Sequence, residues 1–114
     1  MGERERILLA GDDPAEVSTL TRRLEVNNHI IIAEAFCLAD ISDMIVNGQL
    51  DFRVAILGSM PNGEKAAGML RAAIKGVVII SYSSHQQAFG EINITTDQGL
   101  PTLLAEVKKI SKDS

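Results

Sequence analysis

Residues 6–14, RILLAGDDP, decide how this chain is read. An apolar run of strand length, residues 6–11, is stopped by Gly11, two acids and a proline. Pro14 suits the first turn of a helix, where an N–H would have no partner anyway. Asp13 just before it is placed to cap that helix with its carboxylate. Val17, Leu20 and Leu24 then recur at helical spacing, which predicts one apolar helix face. A strand therefore runs straight into a helix, with acids at the junction.

The alternation continues outward. Residues 29–33 (HIIIA) are dense in β-branched side chains and read as a second strand. Leu38, Ile41, Ile45 and Val46 mark a helix stopped near Gly48. Val54–Leu57 is a third strand, followed by the turn-rich loop 58–63 (GSMPNG). Residues 65–74 have helical character and stop at Gly76. Residues 77–81 (VVIIS) form a fourth strand, Ile92–Thr95 a weaker fifth, and residues 101–110 a last helix with Lys108, Lys109 and Lys112 near its end. Cations there suit the helix dipole. Strands that are continuous apolar runs are buried on both faces. Alternation with helices implies an α/β fold with a parallel sheet and right-handed crossovers.

The chain of 114 residues is one domain's worth, residues 1–114. Hydrophobic residues make up 46% of it, enough for a core, but aromatics are only 4%, so that core is aliphatic. There is no Trp, and a stacking platform for bases is not expected. The net charge of −4 argues against a nucleic-acid backbone binder. Cys37 is the only cysteine, which excludes an internal disulfide and suits a reducing cytoplasm. No stretch approaches the roughly 18 apolar residues of a membrane span, and the N-terminus lacks a signal-peptide pattern. The expectation is a cytoplasmic protein with no membrane partner. The ending KKISKDS has the look of a domain boundary.

In parallel α/β sheets, sites form beyond the carboxyl ends of the strands. Those ends carry Gly11-Asp12-Asp13, Gly58-Ser59, Ser81-Tyr82-Ser83-Ser84 and Thr95-Thr96. Here the chain resembles the receiver domains of response regulators, the CheY-like superfamily. ILLAGDDP is similar to the first receiver strand and its acid pair. VAILGSMP is similar to the third strand, which delivers the phospho-accepting Asp, and VVIIS to the fourth, which ends in Ser or Thr. The resemblance covers most of the chain. It implies a three-layer α-β-α, flavodoxin-like fold with strand order 2-1-3-4-5 in a bacterial two-component signalling context. Residues 81–95 are too few for a full fourth helix and its loops, so that helix is expected to be shortened or missing.

The resemblance also exposes departures. Gly11 falls on the first acid position and Asp12 on the second, with Asp13 beside it. The accepting Asp falls on Gly58, or on Leu57 if the loop has full length. Ser81 matches the strand-4 hydroxyl. Thr95 replaces the strand-5 Lys, and Ile92 the aromatic before it. Phosphoryl transfer to Asp needs a carboxylate nucleophile and a hard cation. Neither Gly58 nor Leu57 supplies the first, and Asp12 is at most a weak metal candidate. The reading is a degenerate receiver that binds proteins independently of phosphorylation. It is not an enzyme, holds no cofactor or metal, and has a protein partner or a second copy of itself as ligand.

The remaining polar residues have plain readings. Asp13 caps a helix, Asp12 shapes a turn, and Ser59, Ser83 and Ser84 satisfy loop amides. His29 is structural, and Cys37 is expected to be buried or half-buried. Asp40 and Asp43 share a solvated helix face. His85 is either a solvated loop residue or a contact. Tyr82, His85, Phe89, Ile92 and Ile94 form the candidate interaction surface, on the premise that a polar loop leaves the edge of strand 5 uncovered. Against it stands the reading that Phe89 tucks into the core. Three rival functions are a working phosphoacceptor using Ser59 or Asp12, a phosphotransferase-system B-type domain, and a nucleotide or flavin binder. The second wants a Cys at the end of strand 1, where this chain has Gly11-Asp12-Asp13. The third wants a Gly/Ser/Thr-rich cradle there, not an acidic loop.

Overall fold

Period-2 alternation in five short strands divides their side chains between two faces, and each face collects its own core. The computed structural model describes residues 5–112. In chain order they form β1 Arg6–Ala10, α1 Pro14–Val26, β2 Ile30–Ala35, α2 Leu38–Val46, β3 Val54–Leu57, α3 Gly63–Ala73, β4 Val78–Ser83, β5 Ile92–Thr95, a 3-10 turn Thr96–Gln98 and α4 Leu100–Lys112. All strand pairs are parallel, in the order β2-β1-β3-β4-β5.

On one face Leu8, Ala10, Ala55, Leu57 and Ile79 pack under Ile41 and Met44 of α2 and Ala66, Ala67 and Leu70 of α3. On the other, Ile7, Leu9, Val54, Ile56, Ile80, Tyr82 and Ile94 pack under Val17, Leu20 and Leu24 of α1 and Leu103 and Val107 of α4. Each fully buried Leu or Ile contributes roughly 1.5–3 kcal/mol. With no Trp and few aromatics, these aliphatic side chains carry most of the apolar burial.

The predicted cap is present: the Asp13 carboxylate accepts the N–H groups of Ala15 at 3.0 Å and Glu16 at 3.5 Å. The β1–β2 register skips Ile32 between Ile31 and Ala33, a bulge that interrupts the ladder of the β2 edge strand.

Several expectations change. β4 runs on to Ser83, so Tyr82 and Ser83 are strand residues and not part of a loop. Val46, assigned to the apolar face of α2, is 81% exposed because it ends the helix beyond the reach of the sheet. Cys37, expected to be at least half-buried, is exposed, since it precedes the first turn of α2 at the rim. A fourth helix, α4, is present and is 13 residues long, so the expectation of a shortened or missing helix 4 is not borne out; it follows β5. The connection between β4 and β5, residues 84–91, consists of bends and coil. Residues 113–114 at the chain's end lie outside the described residues.

The 84–91 connection is pinned from three sides. The Glu91 carboxylate accepts the Ile79 N–H at 2.7 Å and pairs with Arg71 of α3 at 2.9 Å. The Arg71 guanidinium also donates to the Phe89 carbonyl. The Asn93 side chain donates to Gly90 O at 2.9 Å, accepts Gly90 N–H at 3.1 Å, and accepts the Ser81 hydroxyl at 2.8 Å. Phe89 lies over Gly63 at the start of α3, where a Cβ would come within 3.2 Å of its ring.

At the opposite end of the sheet, a polar knot ties the first described residue to the last helix. The Glu5 carboxylate takes Arg53 at 2.8 Å and the Ser111 hydroxyl at 3.1 Å. Arg53 also donates to Ile110 O at 3.0 Å, and the Glu5 N–H donates to His29 Nδ1 at 3.2 Å. Glu5, His29 and Ser111 are all buried, and the knot supplies their hydrogen bonds.

Candidate functional site

Parallel strands end together, so β1, β3 and β4 deliver their last residues to one rim. There Asp12 N–H donates to Ser59 O at 2.9 Å and Gly58 N–H to Ala10 O at 2.7 Å. The two loops are thereby locked side by side. Gly11 and Gly58 are both buried, whereas Asp12 and Asp13 are exposed. The structure thus brings Gly11, Asp12, Asp13 and Gly58 to one rim.

The two hydroxyl residues of β4 are placed differently. Ser81 is fully buried inside β4, opposite Leu57 and hydrogen-bonded to Asn93, and does not open onto the rim. The residue at the strand end is Ser83, whose Oγ lies 3.1 Å from Ser59 Oγ and accepts the His85 N–H at 3.3 Å. The two residues share a face because they are two apart in a strand. Thr95 is level with Ser83 on β5, but its backbone N–H and hydroxyl are engaged with Gln98 in the 3-10 turn.

Sequence reasoning passed over Glu16. From the first turn of α1 its Oε1 reaches to 3.5 Å from where a Cβ on Gly58 would stand. Burial, then Asp13, then Asp12 push its carboxyl above the ordinary range. Tyr82 is also raised, by burial and then by Glu16. The rim therefore carries three carboxylates that repel one another. Among the described residues no three or more His, Cys, Asp or Glu side chains are arranged to hold a metal ion.

The candidate interaction surface divides. Tyr82 and Ile94 are buried, 7% and 3% exposed, because both point into the face packed under α1 and α4. They are removed from that surface. Phe89 packs against the α2–α3 core and is half-buried, as is Ile92, while His85 is exposed. His29 is buried in the polar knot. Near it, a groove of about 530 Å³ runs between the end of α1 and α4, lined by Val26, Asn28, His29, Leu104 and Lys108, away from the strand ends that carry the acids.

Searches with the sequence find no matching family model and no matching curated protein. The architecture has many counterparts. The receiver domain of the putative response regulator NarL from Mycobacterium tuberculosis superposes with a TM-score of 0.79 at 19% identity, covering 98% of this chain and 99% of that one. The fold is that of a receiver domain. A CheY-like receiver protein from Methanospirillum hungatei JF-1 gives 0.80 at 17% identity, over 96% of this chain and 95% of that one. The response regulator TrrA from Thermotoga maritima, in a complex with Mg²⁺ and beryllofluoride, gives 0.78 at 20%, over 93% and 98%. These neighbours are receiver domains of two-component signalling, and the likeness is one of fold.

The receiver-fold comparison raises the question of Mg²⁺, and the donor set here does not fit it. A hard cation needs several oxygen ligands converging on one point. At this rim Asp12 and Asp13 are solvent-exposed, Gly11 and Gly58 offer no carboxylate, and Glu16 does not complete a cluster. No helix among the described residues is long and apolar enough to cross a membrane.

Proposed function

We propose that this chain is a receiver-like module that signals in the cytoplasm by phosphorylation-independent binding to a protein, performing no chemistry of its own. The observation that carries the reading is the rim of β1 and β3. The position that would present the accepting carboxylate is Leu57 or Gly58; both are buried, neither bears a carboxylate, and the Gly58 N–H donates to Ala10 O at 2.7 Å. A Cβ on Gly58 would stand 3.2 Å from that same carbonyl, tighter than ordinary contact. With Gly11 and Thr95 in place of an acid and a Lys, nucleophile, metal donor and phosphoryl-binding cation are all missing from their places.

The binding surface proposed is the outer edge of β5 with the 84–91 segment, now reduced to His85, Phe89 and Ile92. β5 is an edge strand, paired only with β4, so its outer backbone groups are open to another chain. The test of the main reading is incubation with acetyl phosphate and Mg²⁺ followed by intact-mass measurement. No phosphoryl adduct is expected. An adduct that maps to Asp12 or Ser59 would replace this reading with a working receiver of non-standard chemistry.

A further inference from the structure

We infer that the outer edge of β2, with the groove between its end and α2, is a second docking surface, and that its occupant is an extended basic segment of another protein, added to the sheet as a further strand. The surface lies at the opposite edge of the sheet from β5 and is independent of what the rim does with phosphate.

The apolar side chains left uncovered gather here. Among the described residues the exposed large hydrophobics are Val26, which ends α1 ahead of β2, Phe36, which directly follows β2, and Val46, which ends α2. Ile30, Ile31 and Ile32 of β2 are only half-buried, whereas every residue of β3 in the sheet's interior is buried. β2 is hydrogen-bonded on one side alone, to β1. The Ile30 N–H donates inward to Glu5 O at 2.9 Å, and Ala35 O accepts the Gly11 N–H at 3.0 Å. Period-2 alternation therefore turns the backbone N–H and C=O of Ile31 and Glu34 outward, where an incoming strand would meet them. The Phe36 N–H is already taken by the Asp40 carboxylate at 2.8 Å, which sets the end of the open stretch. Beside it lies a groove of about 350 Å³, lined by Ala33, Phe36, Met44, Asp40 and Asp43 among others.

Charge selects the occupant. The Glu34 carboxylate, bonded to Thr21 of α1, borders one side of the edge, and Asp40 and Asp43 of α2 border the other. None of the three belongs to an ion pair among the described residues, and no Lys, Arg or His lines the groove. A second copy docked edge to edge about a two-fold axis would set these acids against the same three, and like charges across an interface are unfavourable. A strand carrying Lys or Arg on both faces meets carboxylates on both faces, with apolar contact from the isoleucines and Phe36 between them. The bulge at Ile32 keeps the paired stretch short, so charge decides which strand binds. Backbone pairing supplies affinity, and the acids supply the choice of partner.

The experiment titrates the natural chain with three short peptides while following backbone amides by NMR. One alternates Arg and Val, one alternates Glu and Val, and the third is the basic peptide N-methylated throughout, which keeps its charge and removes its donors. The basic peptide is expected to give saturable shifts at Ile31, Glu34 and Phe36 and at Asp40 and Asp43. The acidic peptide should give none, and the N-methylated one should bind about ten-fold more weakly. The variant E34Q/D40N/D43N retains acceptors for Thr21 and the Phe36 N–H, and should bind the basic peptide about ten-fold more weakly than the natural chain. Equal binding of the basic and acidic peptides, equal binding of the N-methylated one, or no binding overturns the inference. Shifts confined to residues 84–95 overturn it too, and place the docking edge at β5 instead. Sedimentation of the natural chain as a dimer, with concentration-dependent shifts at β2, would make a second copy the occupant and overturn the choice of a basic partner. If the triple variant does not fold, the peptide comparisons on the natural chain decide. A phosphoryl adduct at the rim is a separate result, which sinks the phosphorylation-independent reading and leaves this surface standing.

Discussion

Gly90 stands where no side chain can go: a Cβ there would be 2.8 Å from both Ile79 O and Ile92 O. Both atoms belong to backbone near the starts of β4 and β5 and cannot swing aside. Gly90→Ala should therefore destabilise the fold by about 1–3 kcal/mol, the usual range for forced overpacking, measured as a lower urea midpoint. Such a glycine was not legible in FGEIN, because close approach leaves no mark on a sequence. Glu16 escaped for a related reason. An acid in a first helical turn is ordinary dipole chemistry, and periodicity registers apolar side chains only. Its neighbour Val17 was recognised as core, and that was the available hint. His29 was read correctly as structural, and the contact makes it testable. Its Nδ1 accepts the Glu5 N–H, so that nitrogen must carry no proton. Burial lowers its pKa more than Glu5 raises it. The folded state thus binds fewer protons than the unfolded one near neutrality. Stability from this group is full above about pH 6.5, the ordinary imidazole value, and declines as pH falls through it toward the lower folded value. His29→Gln should remove that part of the slope from a pH series of urea midpoints. An identical slope would show that His29 is not its source.

At the scale of elements, the strands and helices were legible because apolar period and punctuation agreed. Val54–Leu57 and Ile92–Thr95 are found with the bounds expected of them, and Asp13-Pro14 opens α1 as its chemistry dictates. The end of β4 was not legible. Tyr82 and Ser83 resemble loop residues, yet the pairing of Tyr82 with Ile94 and Ser83 with Thr95 draws them into the sheet. That extension places a second hydroxyl, Ser83, at the strand end and buries Tyr82. The 84–91 segment in turn depends on Arg71, which reaches both Glu91 and the Phe89 carbonyl. A half-exposed ion pair contributes little to global stability, about 0–1 kcal/mol. Local opening is another matter. Arg71→Ala should leave the urea midpoint nearly unchanged while the Ile79 amide and those of residues 84–91 exchange with deuterium about ten-fold faster, a rise that corresponds to roughly 1.4 kcal/mol of local opening. Unchanged exchange would mean that Phe89 and Asn93 hold the segment without Arg71.

For the whole molecule, two layers of helices fix one five-stranded sheet, and its carboxyl rim collects Gly11, Asp12, Asp13, Glu16, Gly58, Ser59 and Ser83. The fold matches receiver domains across nearly the full chain at no more than 20% identity among the three compared. In the proposed reading, a few residues at the rim separate this chain from the chemistry of that fold. The decisive measurement is an amide NMR titration of the natural protein with Mg²⁺ and then beryllofluoride. The account predicts no saturable shifts at Asp12, Asp13 or Gly58. Saturable shifts there, spreading to Ser83 and Thr95, would contradict it and show a domain that still switches.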